Sequence, residues 1–139
     1  MNVVKGNIII KASATKIWDA LTNPKKILSY TGSHTESDWL IGSPITWSGE
    51  MHGTKFQNKG KILEINVNHL LKFTYWSGMG GDADLPENYS EITYTLKKSD
   101  DNSTELTYSR IKIATEIETQ IFQGHIQTML GEIKRLSEE

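Results

Sequence analysis

The sequence predicts an α+β fold, an antiparallel sheet of about six or seven strands crossed by one long C-terminal helix. Three observations predict it. Residues 115 to 136 place apolar side chains at helical spacing. Residues 45 to 113 alternate apolar and polar at period two, interrupted by hairpin-length turns. Ahead of that run come a β-branched segment and two short apolar-faced segments. A lone long helix must bury its stripe, and the sheet is the one large partner on offer. A curved sheet under one helix leaves space between the two, and that space is the first functional indication.

Each element has a local reason. Val3 to Lys11 contains Val3, Val4, Ile8, Ile9 and Ile10, a β-branched density that reads as strand. Ser13 is an N-cap, and Ile17, Trp18, Ala20 and Leu21 form the apolar face of the helix behind it. Asn23-Pro24 stops that helix and opens another, with Pro24 at its first position and an end near Thr31-Gly32. His34 to Leu40 reads as a short strand. Ile45, Trp47, Gly49 and Met51 then alternate with Thr46, Ser48 and Glu50, and His52-Gly53 turns the chain. Lys55 to Val67 is a long strand in which Gly60 marks a bulge or bend. After a turn at 66–69, Leu71, Phe73 and Tyr75 alternate with Lys72, Thr74 and Trp76.

Residues 77–88 lose all periodicity and carry Gly78, Gly80, Gly81, Asp82, Asp84 and Pro86, the composition of a mobile loop. Ile92, Tyr94 and Leu96 resume the alternation. Ser99 to Asn102 makes a hairpin turn, and Leu106, Tyr108 and Arg110 follow on the next strand. Thr115-Glu116-Ile117-Glu118 is a capping box. Behind it Phe122, Ile126, Met129, Ile133 and Leu136 fall on one stripe, with Ile121, His125 and Leu130 at its edges. Gly124 is costly inside a helix, and a close approach of the sheet would explain it.

Composition narrows the function. The 139 residues, 37% hydrophobic and 23% charged, read as one globular domain, residues 1–139, with no linker or repeat. A net charge of -2 gives no basic field for a phosphate backbone, so nucleic acid is not an expected partner. With no cysteine, disulfides, thiolate metal sites and a cysteine nucleophile are excluded. The first residues lack a signal-peptide pattern and no apolar run reaches membrane-span length, so a cytoplasmic location is expected. No cofactor is expected, and His34, His52 and His69 are too scattered for a metal site.

The order of elements and the residues that punctuate it resemble the helix-grip superfamily of START and Bet v 1-like (SRPBCC) domains. Within it the chain is most similar to bacterial proteins of the family named for the activator of the heat-shock-protein-90 ATPase, C-terminal domain type. The residues carrying this are Ser13 to Pro24, then Gly60 to Ile65 with Leu71 to Tyr75, and most specifically Asp84-Leu85-Pro86-Glu87-Asn88-Tyr89 running into Ile92 to Leu96. Gly124, Leu130, Lys134 and Leu136 complete the set. Two positions depart from the pattern: His125, where the family usually has an aromatic, and Tyr30, where tryptophan is common. The resemblance implies a deep cavity between the concave sheet and the long helix. Superfamily members use it for lipids, sterols, polyketides and other apolar molecules, and a few catalyse cyclisation or hydrolysis there. The eukaryotic namesake binds a chaperone through its surface.

On this reading Trp47, Met51, Phe73, Tyr75, Tyr94, Tyr108 and Arg110 point inward, faced by Phe122, His125 and Met129 from the helix. The alternative for the aromatics is plain core packing. Arg110, alone on an apolar strand face, must be paired or solvated. It either receives a ligand carboxylate or hydroxyl, or snorkels to water at the strand end. His125 is either a general acid or base or a core histidine hydrogen-bonded to a tyrosine. Asp82, Asp84 and Glu87 are either paired carboxylates or turn and cap residues, and the loop carrying them would lie at the cavity mouth. Trp76 alternates to the outer face, where it could mark a contact surface. Three functions follow. The first is a non-enzymatic domain holding a small apolar or amphipathic molecule. The second is a chaperone-associated or stress-response interaction module. The third is a cyclase or hydrolase using His125 and Arg110.

Overall fold

A computed structural model describes residues 2–78 and 82–139, so Gly80 and Gly81 of the expected loop lie outside the described residues. The chain runs through β1 (Val4–Ile10), α1 (Ala14–Thr22), α2 (Pro24–Thr31), β2 (His34–Ser37), β3 (Pro44–Met51) and β4 (Thr54–Asn66). It continues through β5 (Leu70–Tyr75), a 3-10 turn at Pro86–Asn88, β6 (Ser90–Asp100), β7 (Ser103–Ile111) and α3 (Glu116–Glu138). The strands form one antiparallel seven-stranded sheet in the order β1-β7-β6-β5-β4-β3-β2. This is the α+β helix-grip arrangement that the sequence predicts.

The punctuation works as the side chains require. Ser13 Oγ accepts the Lys16 amide at the start of α1. Asn23 Oδ1 accepts the Lys25 amide at the start of α2, with Pro24 at the first position. Gly32 ends α2 in the left-handed region at φ 73°. His52 and Gly53, at φ 52° and 81°, join β3 to β4 by a two-residue turn whose positive dihedrals match the twist of a hairpin. Thr115 Oγ1 accepts the Glu118 amide, and the Glu118 carboxylate accepts in return from the Thr115 backbone, so the capping box closes. The strand after α2 is shorter than predicted. It ends at Ser37 because Trp39 takes φ 56°, which no strand continues through.

Two glycines decide how the layers meet. The sheet approaches α3 through Gly6 on β1, where a Cβ would sit 3.1 Å from Leu130 Cδ1 and 3.3 Å from Ile126 Cγ1. The expectation that Gly124 serves this purpose is wrong: nothing lies within 4 Å of a Cβ built there, because Gly124 is on the outer side of α3. At Gly60 a Cβ would fall 1.7 Å from the Thr74 carbonyl oxygen, so this position of β4 must be bare for β5 to pass. The ladder is interrupted around Gly60, between the Lys59–Trp76 bridge and the Ile62–Phe73 pair, while the register shift itself lies further on, between Ile62 and Glu64.

The buried line of α3 is Ile126, Leu130, Ile133 and Ser137. It is rotated slightly from the predicted stripe, so that Leu136, Met129 and Phe122 are half-buried and His125 is exposed. Ser137 takes the deep position that its polarity argues against because its hydroxyl donates to the Ile133 carbonyl at 2.7 Å. The core of the domain joins these residues to Val4, Ile10, Ile17, Leu21, Ile62, Leu71 and Leu106. The backbone of α3 comes closest to β1, α1 and α2, and stands away from the middle of the sheet.

The two glycines give opposite expectations. Gly60→Ala forces β4 from β5 and costs about 3 kcal/mol or more. Gly124→Ala relieves backbone entropy in an exposed helical position and stabilises by about 0.5–1 kcal/mol. Thermal and urea unfolding of both variants checks this. A neutral Gly60→Ala would contradict the close strand contact.

Candidate functional site

Strand alternation and antiparallel register assemble the inner wall. Tyr94 of β6 stands opposite Leu71 on β5 and Tyr108 on β7, while Ile92 stands opposite Phe73 and Arg110. Side chains of one parity therefore face α3 together. The rings form a connected band across the sheet. Trp47 lies 5.4 Å from Phe73 and 5.0 Å from Tyr75, Phe73 lies 6.3 Å from Tyr94, and Tyr94 meets Tyr108 edge-on at 5.4 Å. These are favourable tilted geometries rather than face-to-face stacks.

Between this band and α3 lies a partly open pocket of about 600 Å³. Trp47, Met51, Phe73, Tyr75, Tyr94, Tyr108, Arg110 and Met129 line it. Met51 stands at its exposed rim, and the Tyr94 hydroxyl reaches the Met129 sulfur at 3.9 Å. A smaller crevice of about 290 Å³ shares Tyr75, Ser77 and Arg110 with the pocket and is closed on its far side by Phe122, Glu118 and Asp82. His125 lines neither space. The expectation that it points inward fails because it lies about a quarter-turn of helix outside the line Ile126–Leu130–Ile133.

Several wall residues escaped sequence reading. Asn58 is buried on β4, donates from Nδ2 to the Tyr75 hydroxyl at 2.9 Å and accepts the Gly78 amide at 3.0 Å. Ser90 is buried at the start of β6 and accepts from Arg110 Nε at 3.0 Å. The signal for Ser90 was available, since it lies two residues before Ile92 and so on the same face. Asn58 shares parity with Ile62 on β4 in the same way. Thr31, Ser33 and Phe56 complete the rim from α2, the α2–β2 junction and β4.

Arg110 is the electrostatic centre. It is only 9% exposed, and among the described residues no carboxylate forms an ion pair with it. The Phe122 ring covers one side of its guanidinium at 3.6 Å, and the Tyr75 ring lies 4.9 Å away. The Tyr108 phenol is also within hydrogen-bonding reach. Each cation–π contact is worth about 0.5–2 kcal/mol, while removing a charge from water costs several kcal/mol. The rings reduce the cost of burial without supplying a counter-charge. Snorkelling at the strand end is not what the side chain does.

Burial raises the pKa of Tyr94 well above that of a free phenol, and it raises Tyr75 and Tyr108 as well, although Arg110 pulls against the rise at all three. The phenols therefore stay neutral at physiological pH, and Arg110 is the one formal charge on the pocket wall among the described residues. In the crevice, burial and the adjoining Asp82 carboxyl raise the Glu118 pKa, against the lowering pull of Arg110 and of the Thr115 amide.

The described part of the loop is tied down. Trp76 Nε1 donates to the Asp82 and Ala83 carbonyls, and its ring stacks on Tyr89 at 6.3 Å. Lys59 pairs with Asp84 at 2.5 Å and lies over the Trp76 ring, while the Tyr89 hydroxyl donates to Asp84. That bond pins the Tyr89 proton, and its pKa is pushed up to about 12 by desolvation first and Asp84 second. Trp76 is thus covered by its own loop rather than left free as a contact surface. Asp84 serves as an anchor, and the Asp82 carboxyl alone of the loop's acids faces another carboxyl across the crevice.

Residues 11–138 match the family described as activator of Hsp90 ATPase homolog 1-like protein. The chain belongs to that family. Among solved structures, ChR145 from Cytophaga hutchinsonii is 34% identical with a TM-score of 0.81, over 96% of this chain and 91% of that one. The Aha1 dimer from Colwellia psychrerythraea has 20% identity and a TM-score of 0.75, over 99% and 97% of the two chains. MLL2253 from Mesorhizobium loti has 17% identity and a TM-score of 0.77, over 96% and 95%. At those last two identities the likeness is one of fold. No curated protein matches the chain. Among the described residues no helix is long and apolar enough to cross a membrane.

Glu118 yields a pH prediction. Its proton is held more tightly in the folded chain than in the unfolded one. The stability it contributes is therefore complete below the ordinary carboxylate range and drains away as pH rises through the raised folded value. Glu118→Gln keeps an oxygen to accept the Thr115 amide and removes the repulsion from Asp82. The difference in Tm between variant and parent should be near zero below the ordinary carboxylate range and increasingly favour the variant as pH rises above it. A difference that does not change with pH would contradict the Asp82–Glu118 contact.

Proposed function

We propose that the domain binds a small apolar or amphipathic molecule in the space between the sheet and α3, without chemistry of its own. The observation that carries this is the pocket itself, about 600 Å³, aromatic-walled and holding one formal charge. That volume lies within the usual range for small-molecule sites, and the mix of apolar wall and few polar groups is typical of them. Burial of an apolar ligand surface would supply about 25 cal/mol per Å². Tyr75, Tyr94, Tyr108 and Arg110 would orient the molecule, with Trp47, Phe73 and Met129 around its body and Met51 at the entrance.

Membership of the family favours a second reading, an interaction module that contacts a chaperone through its surface. A cyclase or hydrolase built on His125 with Arg110 loses its base, because His125 lies outside both spaces.

Native mass spectrometry of freshly purified protein tests the binding reading. A retained adduct of a few hundred daltons that is lost on Tyr94→Trp, a substitution that fills the pocket, is the expected result. A bare polypeptide mass, together with chaperone-induced shifts confined to exposed residues far from the pocket, would favour the surface module instead.

A further inference from the structure

The geometry points to a small organic monocarboxylate as the occupant, its carboxylate on the edge of the Arg110 guanidinium and a flat apolar body among the rings. This rests on the binding reading above and names the class of molecule.

The first ground is what remains open on Arg110. Phe122 at 3.6 Å and Tyr75 at 4.9 Å flank the guanidinium, and Nε already donates to Ser90 at 3.0 Å. The terminal nitrogens are the remaining donors, with the Tyr108 phenol beside them as a second polar group for the ligand, and a guanidinium fork matches the two oxygens of a carboxylate. Its orientation is held before any ligand arrives, so less freedom is lost on binding.

The second ground is the missing partner. The carboxylates of this part of the fold are engaged elsewhere. Glu91 pairs with Lys112 at 2.6 Å and Lys72 at 3.5 Å, and Asp84 pairs with Lys59. Glu118 closes the cap at Thr115 and meets Asp82. Glu118 is close enough to feel the Arg110 charge, yet among the described residues no carboxylate makes a direct ion pair with the guanidinium, and an anion from outside would supply that direct counter-charge.

The third ground limits that anion to one charge. Lys112, the other cation bordering the crevice, is occupied by Glu91, and the carboxyls of Asp82 and Glu118 stand on the far side of Arg110. Among the described residues a dianion such as a phosphate monoester would find one free cation and two acids nearby. The fourth ground is shape. The tilted rings of Trp47, Phe73 and Tyr94 offer apolar walls suited to a flat body.

Four naphthalene probes separate these claims: 2-naphthoate, 2-naphthamide, 2-naphthylmethylamine and 2-naphthyl phosphate, titrated at pH 7.5 by calorimetry and by NMR. The expected result is that naphthoate binds about tenfold or more tighter than its neutral amide isostere, with the amine and the phosphate weaker than naphthoate. In Arg110→Gln the ratio of naphthoate to naphthamide should fall to near one. Should that variant fail to fold, two readings replace it. Ser90→Ala keeps the charge and frees Nε, and should lower the naphthoate preference several-fold. In the parent protein the Arg110 Nε–H resonance should move with naphthoate and not with naphthamide. Equal affinities for naphthoate and naphthamide would overturn the carboxylate assignment and leave the pocket reading standing. Tighter binding of the phosphate would overturn the single-charge limit. Failure of all four probes to bind would overturn both readings.

Discussion

The structure depends on where α3 touches the sheet. Gly6 lets Ile126 and Leu130 settle on β1, in contacts that even a methyl group at that position would crowd. The helix is thereby fixed to one margin of the sheet and to α1 and α2, while its backbone stands away from the central strands. Whatever lies between α3 and β3–β7 must be filled by side chains reaching across that gap. Trp47, Phe73, Tyr94, Tyr108 and Met129 reach partway, and the remainder is the pocket. A helix seated on the middle of the sheet would have closed the same space with aliphatic packing.

Electrostatics follows from that geometry. Arg110 lies on the inner face of β7 with Phe122 of α3 over its guanidinium, so little of it stays exposed, and what does opens into the pocket. The fold accommodates the charge with rings on its flanks and the hydroxyl of Ser90 on Nε, while Glu91 is paired with Lys112 and the Asp82 and Glu118 carboxyls meet each other across the crevice. Phe122 has a double part, as a stripe residue of α3 and as the cover of a cation. Sequence periodicity describes only the first.

Much of the fold was legible because its punctuation is chemical. Ser13, Asn23, Gly32, His52-Gly53 and Thr115 each act through a local hydrogen bond or dihedral that the residue type itself announces. Strand parity likewise brought Trp47, Phe73, Tyr75, Tyr94, Tyr108 and Arg110 to one wall. What was not legible depended on the distance between layers. Gly124 drew attention because glycine is unusual in a helix, yet the close contact is made by Gly6 on the strand opposite. Ser137 carries no apolar signal, and its hydroxyl is satisfied within its own helix. His125 looked inward because the family places an aromatic there, and a rotation of the helix by a fraction of a turn leaves it in solvent. Asn58 and Ser90, both small and polar, carry no hydrophobic signal at all, so only the parity of their strands could have placed them.

The most direct check of this account is a high-resolution crystal structure of the protein purified without added ligand. It should show open volume bounded by Trp47, Tyr94, Arg110 and Met129, containing ordered water or the density of a bound molecule near the guanidinium. A structure in which Met129 and Phe122 pack down onto Tyr94 and Tyr108, leaving no room for a molecule larger than water, would contradict it.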